Sequence, residues 1–112
     1  MGYRSSTSEN ALFQAVADPT RRAIVQRVAH GALSAGDLAL GFRISRPAVA
    51  KHVGVLKRAG LLRERREGRR RFYELNPLPL RAIDTWIEPY REFWRANLRN
   101  LKTFVEGEAT NE

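Results

Sequence analysis

Eleven of the chain's 20 lysines and arginines fall between Arg43 and Arg71, answered there by two acids, Glu64 and Glu67. Nine bases and ten acids share all the other positions, so the formal charge of +8 on this 112-residue chain belongs to that one segment. Fixed cations at such density suit a polyanion, because each phosphate they neutralise releases condensed counterions. Little else in the chain has the makings of chemistry. Without cysteine there is no thiolate nucleophile, no disulfide and no thiolate zinc site. No glycine-rich phosphate loop, H-E-x-x-H pair or serine elbow occurs. The residues predict a binding protein and not an enzyme, with no catalytic residue, no metal and no cofactor.

Helix signals supply the scaffold for these cations. Ala11, Leu12, Ala15 and Val16 recur at helical spacing in a short first helix that stops near Asp18. Asp18 suits the N-cap of a second helix, with Pro19 at the first position, where its missing N–H costs nothing. Ala23, Ile24, Val25 and Val28 form its buried stripe, and Gly31 ends it just after His30, whose protonated ring suits a helix C-terminus. Ser34 caps a very short third helix carrying Asp37, Leu38 and Leu40, closed by a left-handed turn at Gly41. Ser45 caps the fourth, where Val49, Val53 and Leu56 face inward and Gly60 is the stop. Two helices joined this tightly make a helix-turn-helix over about residues 34–60.

The run LLRERREGRRRFYEL then reads as two strands about a Glu67-Gly68 turn, a wing over about residues 61–75. That turn places Leu62, Glu64, Arg71 and Tyr73 on one face, with Glu64 opposite Arg71 as an ion pair. Arg65, Arg66, Arg69 and Arg70 crowd the tip. After a break at Asn76 to Pro79, a last helix over about 79–105 carries Ile83, Trp86, Ile87, Tyr90, Phe93, Trp94, Leu98, Leu101, Phe104 and Val105 in an apolar stripe. Pro89 is expected to kink or restart it. The expected fold is mainly α with a small β-hairpin: one winged helix-turn-helix domain of about five helices and a two-stranded wing. Its core spans about residues 9–105, and Met1 to Ser8 and Glu108 to Glu112 fray. No stretch nears the ~20 apolar residues of a membrane span, and no signal peptide is apparent, which reads as a soluble intracellular protein.

The outward positions of the fourth helix are Arg46, Pro47, Ala50, Lys51, Gly54, Lys57 and Arg58, with no acid among them. Ala50 and Gly54 are small enough for the helix to lie close to base edges while the cations reach out. Arg46, in the first turn, is placed to pair bidentately with guanine. The free N–H groups at the helix start, beside Ser45, suit a phosphate. A solvated basic face is the bland alternative; capped helix, tight turn and arginine-tipped hairpin together favour duplex DNA. The second reading is an RNA-binding or ribosome-associated winged helix. RNA recognition usually stacks single strands on exposed aromatics, and the basic segment holds only Phe42, Phe72 and Tyr73, the last two at the wing's base.

Other polar groups read as structural. His52 has no second ligand at metal spacing and belongs to the helix surface, with a hydrogen bond to DNA open to it. Asp84, Glu88 and Glu92 line up at i, i+4 and i+8 as a hard-cation site would, but Arg91, Arg95 and Arg99 lie close enough to make a salt-bridged face. Trp86, Tyr90, Phe93 and Trp94 suit a core or dimer seam better than a ligand pocket.

The segments FQAVADPTRRAIVQRV and LSAGDLALGFRISRPAVAKHVGVLKRAGLLRERREGRRRFYELNP resemble the arsenical-resistance-repressor (ArsR-type) family of bacterial winged-helix regulators. The resemblance covers about residues 10–105. Its most specific part is the S-x-x-x-V-x-x-H-V-x-x-L-x-x-A-G-L-L run from Ser45 to Leu62, followed by E-G-R-R-R-F-Y. The tail W-I-E-P-Y-R-E-F-W is similar to that of the metal-independent autorepressor branch, the sporulation-delay repressor among them. The resemblance implies a cytoplasmic homodimer joined by its first and last helices through Leu12, Phe13, Trp86, Tyr90, Phe93, Trp94, Leu98 and Leu101. It implies a palindromic operator near the protein's own promoter and repression by blocking polymerase. By family position, Arg46, Pro47, Ala50 and Lys51 face bases, while His52, Lys57 and the wing arginines touch phosphates or the minor groove. Metal sensors of the family carry Cys-x-Cys in the third helix, where this chain has Ala35-Gly36-Asp37-Leu38, and others use Asp and His of the last helix, which here has no histidine. Ala50 stands where serine is commoner, removing one hydroxyl contact. The operator and the signal that lifts repression are not written in the sequence; a small-molecule effector and an antagonist protein are both open.

Overall fold

The computed structural model describes residues 7–110, with side chains through Gly107. Its contacts group into a compact unit ending at Arg81 and a second unit beginning at Ala82. The helices are α1 (Thr7–Val16), α2 (Pro19–Ala29), α3 (Ala35–Leu40), α4 (Arg46–Arg58) and α5 (Arg81–Thr110), and the strands β1 (Leu33–Ser34), β2 (Leu62–Glu67) and β3 (Arg70–Leu75). Thr7, Ser8 and Glu108 to Thr110 are helical where fraying was expected. The other expected frayed positions, Met1 to Ser6, Asn111 and Glu112, lie outside the described residues.

Caps and arginines join the first helices. Asp18 Oδ2 accepts the Arg21 backbone N–H at 3.0 Å, and Pro19 opens α2. That bond, more than any other contact, holds the Asp18 carboxyl below the usual carboxylate range. The last carbonyls of a helix lack internal partners, and α1 has no basic residue of its own in its final turn. The arginines of α2 fill the gap: Arg21 donates to the carbonyls of Ala15 and Gln14 at 2.7 and 2.8 Å, and Arg22 to that of Val16 at 2.9 Å.

Arg27 does the same for α3, donating to the Leu38 and Asp37 carbonyls at 2.7 and 3.3 Å while lying 5.7 Å from the Phe42 ring centre. Gly41 beside this contact is right-handed (φ −80°) and not the left-handed turn expected. A Cβ at Gly41 would stand 2.0 Å from Arg27 Nη1. Leu40 is turned outward, leaving Leu38 as the core residue of α3.

The core of the first unit is Leu12, Ala15, Ile24, Val28, Leu38, Val49, Val53, Leu56, Leu61, Leu62 and Tyr73. Burying each large aliphatic member contributes about 1.5–3 kcal/mol. Leu12 is only 1% exposed. The side chain expected at a dimer seam is therefore packed inside its own subunit, while Phe13 beside it is half-buried.

The sheet has three antiparallel strands in the order β1-β3-β2, one more than the two-stranded wing expected. The additional strand is two residues long, Leu33 and Ser34 pairing with Tyr73 and Phe72. The hairpin is also shifted: Glu67 pairs with Arg70 and Glu64 with Tyr73, so the two-residue turn is Gly68-Arg69. Gly68 takes φ +61° at the first central position, with no positive φ at Arg69, which is where a type II′ hairpin turn needs glycine. Leu62, Glu64, Arg71 and Tyr73 still share a face, but Arg71 opposes Arg66 instead of Glu64.

In the second unit α5 runs unbroken through Pro89, so the helix does not restart there. Trp86, Tyr90, Phe93, Trp94, Leu98, Leu101, Phe104 and Val105 are each 47–64% exposed. The carboxylate row is salt-bridged: Arg91 binds Asp84 and, at 2.7 Å, Glu88; Arg95 binds Glu92 at 2.7 Å. Among the described residues no helix is long and apolar enough to cross a membrane, and no group of His, Cys, Asp or Glu is arranged to hold a metal ion.

Candidate nucleic-acid interface

The start of α4 is set by Ser45, whose hydroxyl accepts the Ala48 N–H at 3.2 Å, and by Pro47 in the first turn. Its end is a two-bond clasp, Gly60 N–H to the Lys57 carbonyl and Leu61 N–H to the Leu56 carbonyl, both 3.0 Å. Gly60 makes it possible with φ +80°. Val49, Val53 and Leu56 are buried, so Arg46, Pro47, Ala50, Lys51, Lys57 and Arg58 are all exposed.

Two hollows meet along the outward face of α4. The first is a groove of about 350 Å³ between α3, α4 and the wing, with Arg46, Lys57 and Arg71 around it and Gly36, Ala39, Ala50 and Gly54 leaving it open. The second, shallower hollow lies on the other side, against Pro47, Lys51 and Arg58. Ala50 and Gly54 belong to both and form a low ridge with cations on either flank.

The wing is tied to this helix. Lys57 Nζ donates to Glu64 Oε1 at 2.9 Å, and that bond holds the Glu64 carboxyl below the usual carboxylate range. Arg66 Nε lies 3.6 Å from the other Glu64 oxygen, and Arg65 pairs with Glu67 at 2.9 Å. Asn76 closes the hairpin's base, its N–H donating to the Leu61 carbonyl at 2.8 Å and its amide to the Gly60 carbonyl at 3.0 Å. Arg46, Lys51, Arg58, Arg69 and Arg70 have no carboxylate partner among the described residues. Cations without such a partner have less to lose on meeting a phosphate than Lys57 or Arg65.

His52 departs from the surface placement expected. It is half-buried, its Nδ1 lying 3.3 Å from Arg21 Nη1 and 3.9 Å from Asp18 Oδ2, so it joins α4 to the start of α2. Two members of the site are not evident from the residues alone: Arg71, which lines the groove, and the Lys57–Glu64 bond. Both depend on the shifted hairpin register; the one available signal is an acid left alone among cations.

A helix-turn-helix domain model matches residues 16–65. The chain is 44% identical to the HTH-type transcriptional regulator Rv2034 of Mycobacterium tuberculosis, over 90% of this chain and 92% of that one. The crystal structure of an ArsR family transcriptional regulator, RHA00566, superposes with a TM-score of 0.72 at 32% identity, covering 84% of this chain and 97% of the other. The chain belongs to the ArsR family of helix-turn-helix transcriptional regulators. Within that family it is also similar to the transcriptional repressor SdpR of Bacillus subtilis, 37% identical over 70% of this chain and 87% of the repressor. As an ArsR-family member it is a DNA-binding transcriptional regulator, and α3, α4 and the wing are its winged helix-turn-helix.

Proposed function

We propose that the chain is a homodimeric, cytoplasmic repressor that binds a palindromic operator in duplex DNA, its own operon among its targets. It acts by occupying DNA and not by catalysis. One observation carries the reading: the outward face of α4 is a low Ala50–Gly54 ridge with cations on both flanks, and the arginine-tipped wing of the same +9 segment follows it. A major groove about 12 Å wide admits an α-helix. With α4 in that groove, Arg46, Pro47, Ala50 and Lys51 face bases; Lys57, Arg58 and the wing arginines lie against phosphates. The exposed apolar stripe of α5 supports a second copy as its cover, which presents two recognition helices to half-sites about 34–36 Å apart.

The test is selection of bound fragments from random duplex DNA, with structured RNA as competitor. A palindrome should emerge and RNA should fail to displace it. Failure to retain any duplex at modest salt, or displacement by RNA, overturns the proposal.

Replacing Arg69 and Arg70 together by alanine should weaken binding on all sequences alike. The slope of log affinity against log salt should fall by roughly 0.9 for each phosphate no longer neutralised. Titrations at several salt concentrations check this, and an unchanged slope removes the wing tip from the DNA-binding surface.

A further inference from the structure

We propose that Phe72 is a positioning residue that sets Arg65 and Arg70 of the wing for the duplex; the proposal rests on the DNA reading above. Side chains alternate along a strand. Tyr73 points into the core at 7% exposure, so Phe72 stands on the outer face of β3. There it pairs with Arg65 on β2 and Ser34 on β1. An aromatic ring on that face adds nothing to the buried core, yet it is half-covered. Two cations lie over it: the guanidinium carbon of Arg65 is 5.4 Å from the ring centre and that of Arg70 5.0 Å. Both fall within the ~6 Å over which a ring's negative face attracts a cation.

The consequence is preorganisation. A solvated arginine samples many rotamers, and fixing it on binding costs affinity. Phe72 fixes two in the free protein without changing the net charge. The two are not equivalent, because Arg65 also pairs with Glu67 at 2.9 Å whereas Arg70 has no carboxylate partner among the described residues. The ring therefore presents Arg70 as the cation ready for a phosphate, with Arg65 braced behind it.

Phe72→Leu, and a trifluorophenylalanine at position 72 that keeps the ring's shape while draining its negative face, test the idea in two backgrounds. In the otherwise unchanged chain both should weaken duplex binding by about two- to tenfold for each arginine freed. The salt slope should stay as it was, since every cation remains. In a chain already carrying Arg65→Ala and Arg70→Ala neither should weaken binding further, because the groups through which Phe72 acts are gone. The fluorinated chain also guards against a folding artefact, and its thermal midpoint should not move. An equal loss in both backgrounds, or no loss from the fluorinated ring, overturns the positioning role alone. If the Arg65→Ala, Arg70→Ala chain binds as tightly as the parent, the wing's part in the DNA reading falls, and this proposal with it.

Discussion

Glutamate in place of Leu101 is expected to leave the chain monomeric and to weaken operator binding by about 100-fold or more. Leu101 lies on the α5 stripe and is 59% exposed, so the change leaves the subunit's own core untouched. In the proposed dimer the same position is buried against apolar side chains, and two-fold symmetry puts a carboxylate in the seam from each copy. A buried, unpaired charge costs several kcal/mol. A monomer then offers one recognition helix where the dimer offers two, and linked binding is worth about 10²–10⁴ in affinity. Sedimentation velocity and an operator titration check the two halves of the prediction. A variant that still sediments as a dimer shows that α5 is not the seam.

Arg46→Ala is expected to cost about 1–3 kcal/mol of operator affinity, roughly 5- to 150-fold, with the loss concentrated at one base position. Arg46 sits in the first turn of α4, exposed beside the groove, and has no carboxylate partner among the described residues. The helix does not depend on it, because the Ser45 cap and Pro47 set the start and alanine is a strong helix former. Binding measured against single-base operator variants separates two roles. Relaxed preference at one position marks a base contact; an equal loss on operator and random duplex marks a phosphate contact.

Features written in neighbouring residues were legible in the sequence. Asp18, Ser34 and Ser45 cap the helices they were expected to cap, and Val49, Val53 and Leu56 point inward as their spacing demands. Features set by distant partners were not. Gly41 lies against the guanidinium of Arg27, fourteen positions earlier. His52 reaches Asp18 and Arg21 of α2 while part of its side chain stays exposed. A two-residue strand carries no period to read, so β1 is not legible in the residues. The hairpin slipped by two because Glu67-Gly68 and Gly68-Arg69 both put glycine where a tight turn accepts it. A slip of two keeps every side chain on its face while changing its neighbour, which is why the shared face was right and the Glu64 partner wrong. Leu12 and Leu101 both looked available for a seam, and only tertiary packing separates the filled one from the bare one.

Asn76 and Glu64 tie the hairpin to the end of α4 at two places, one at Gly60 and Leu61 and the other at Lys57. A helix and a hairpin tied in this way favour one spacing between them. In the proposed complex, tracts that narrow or widen a groove would then be favoured or refused at base pairs no side chain reaches.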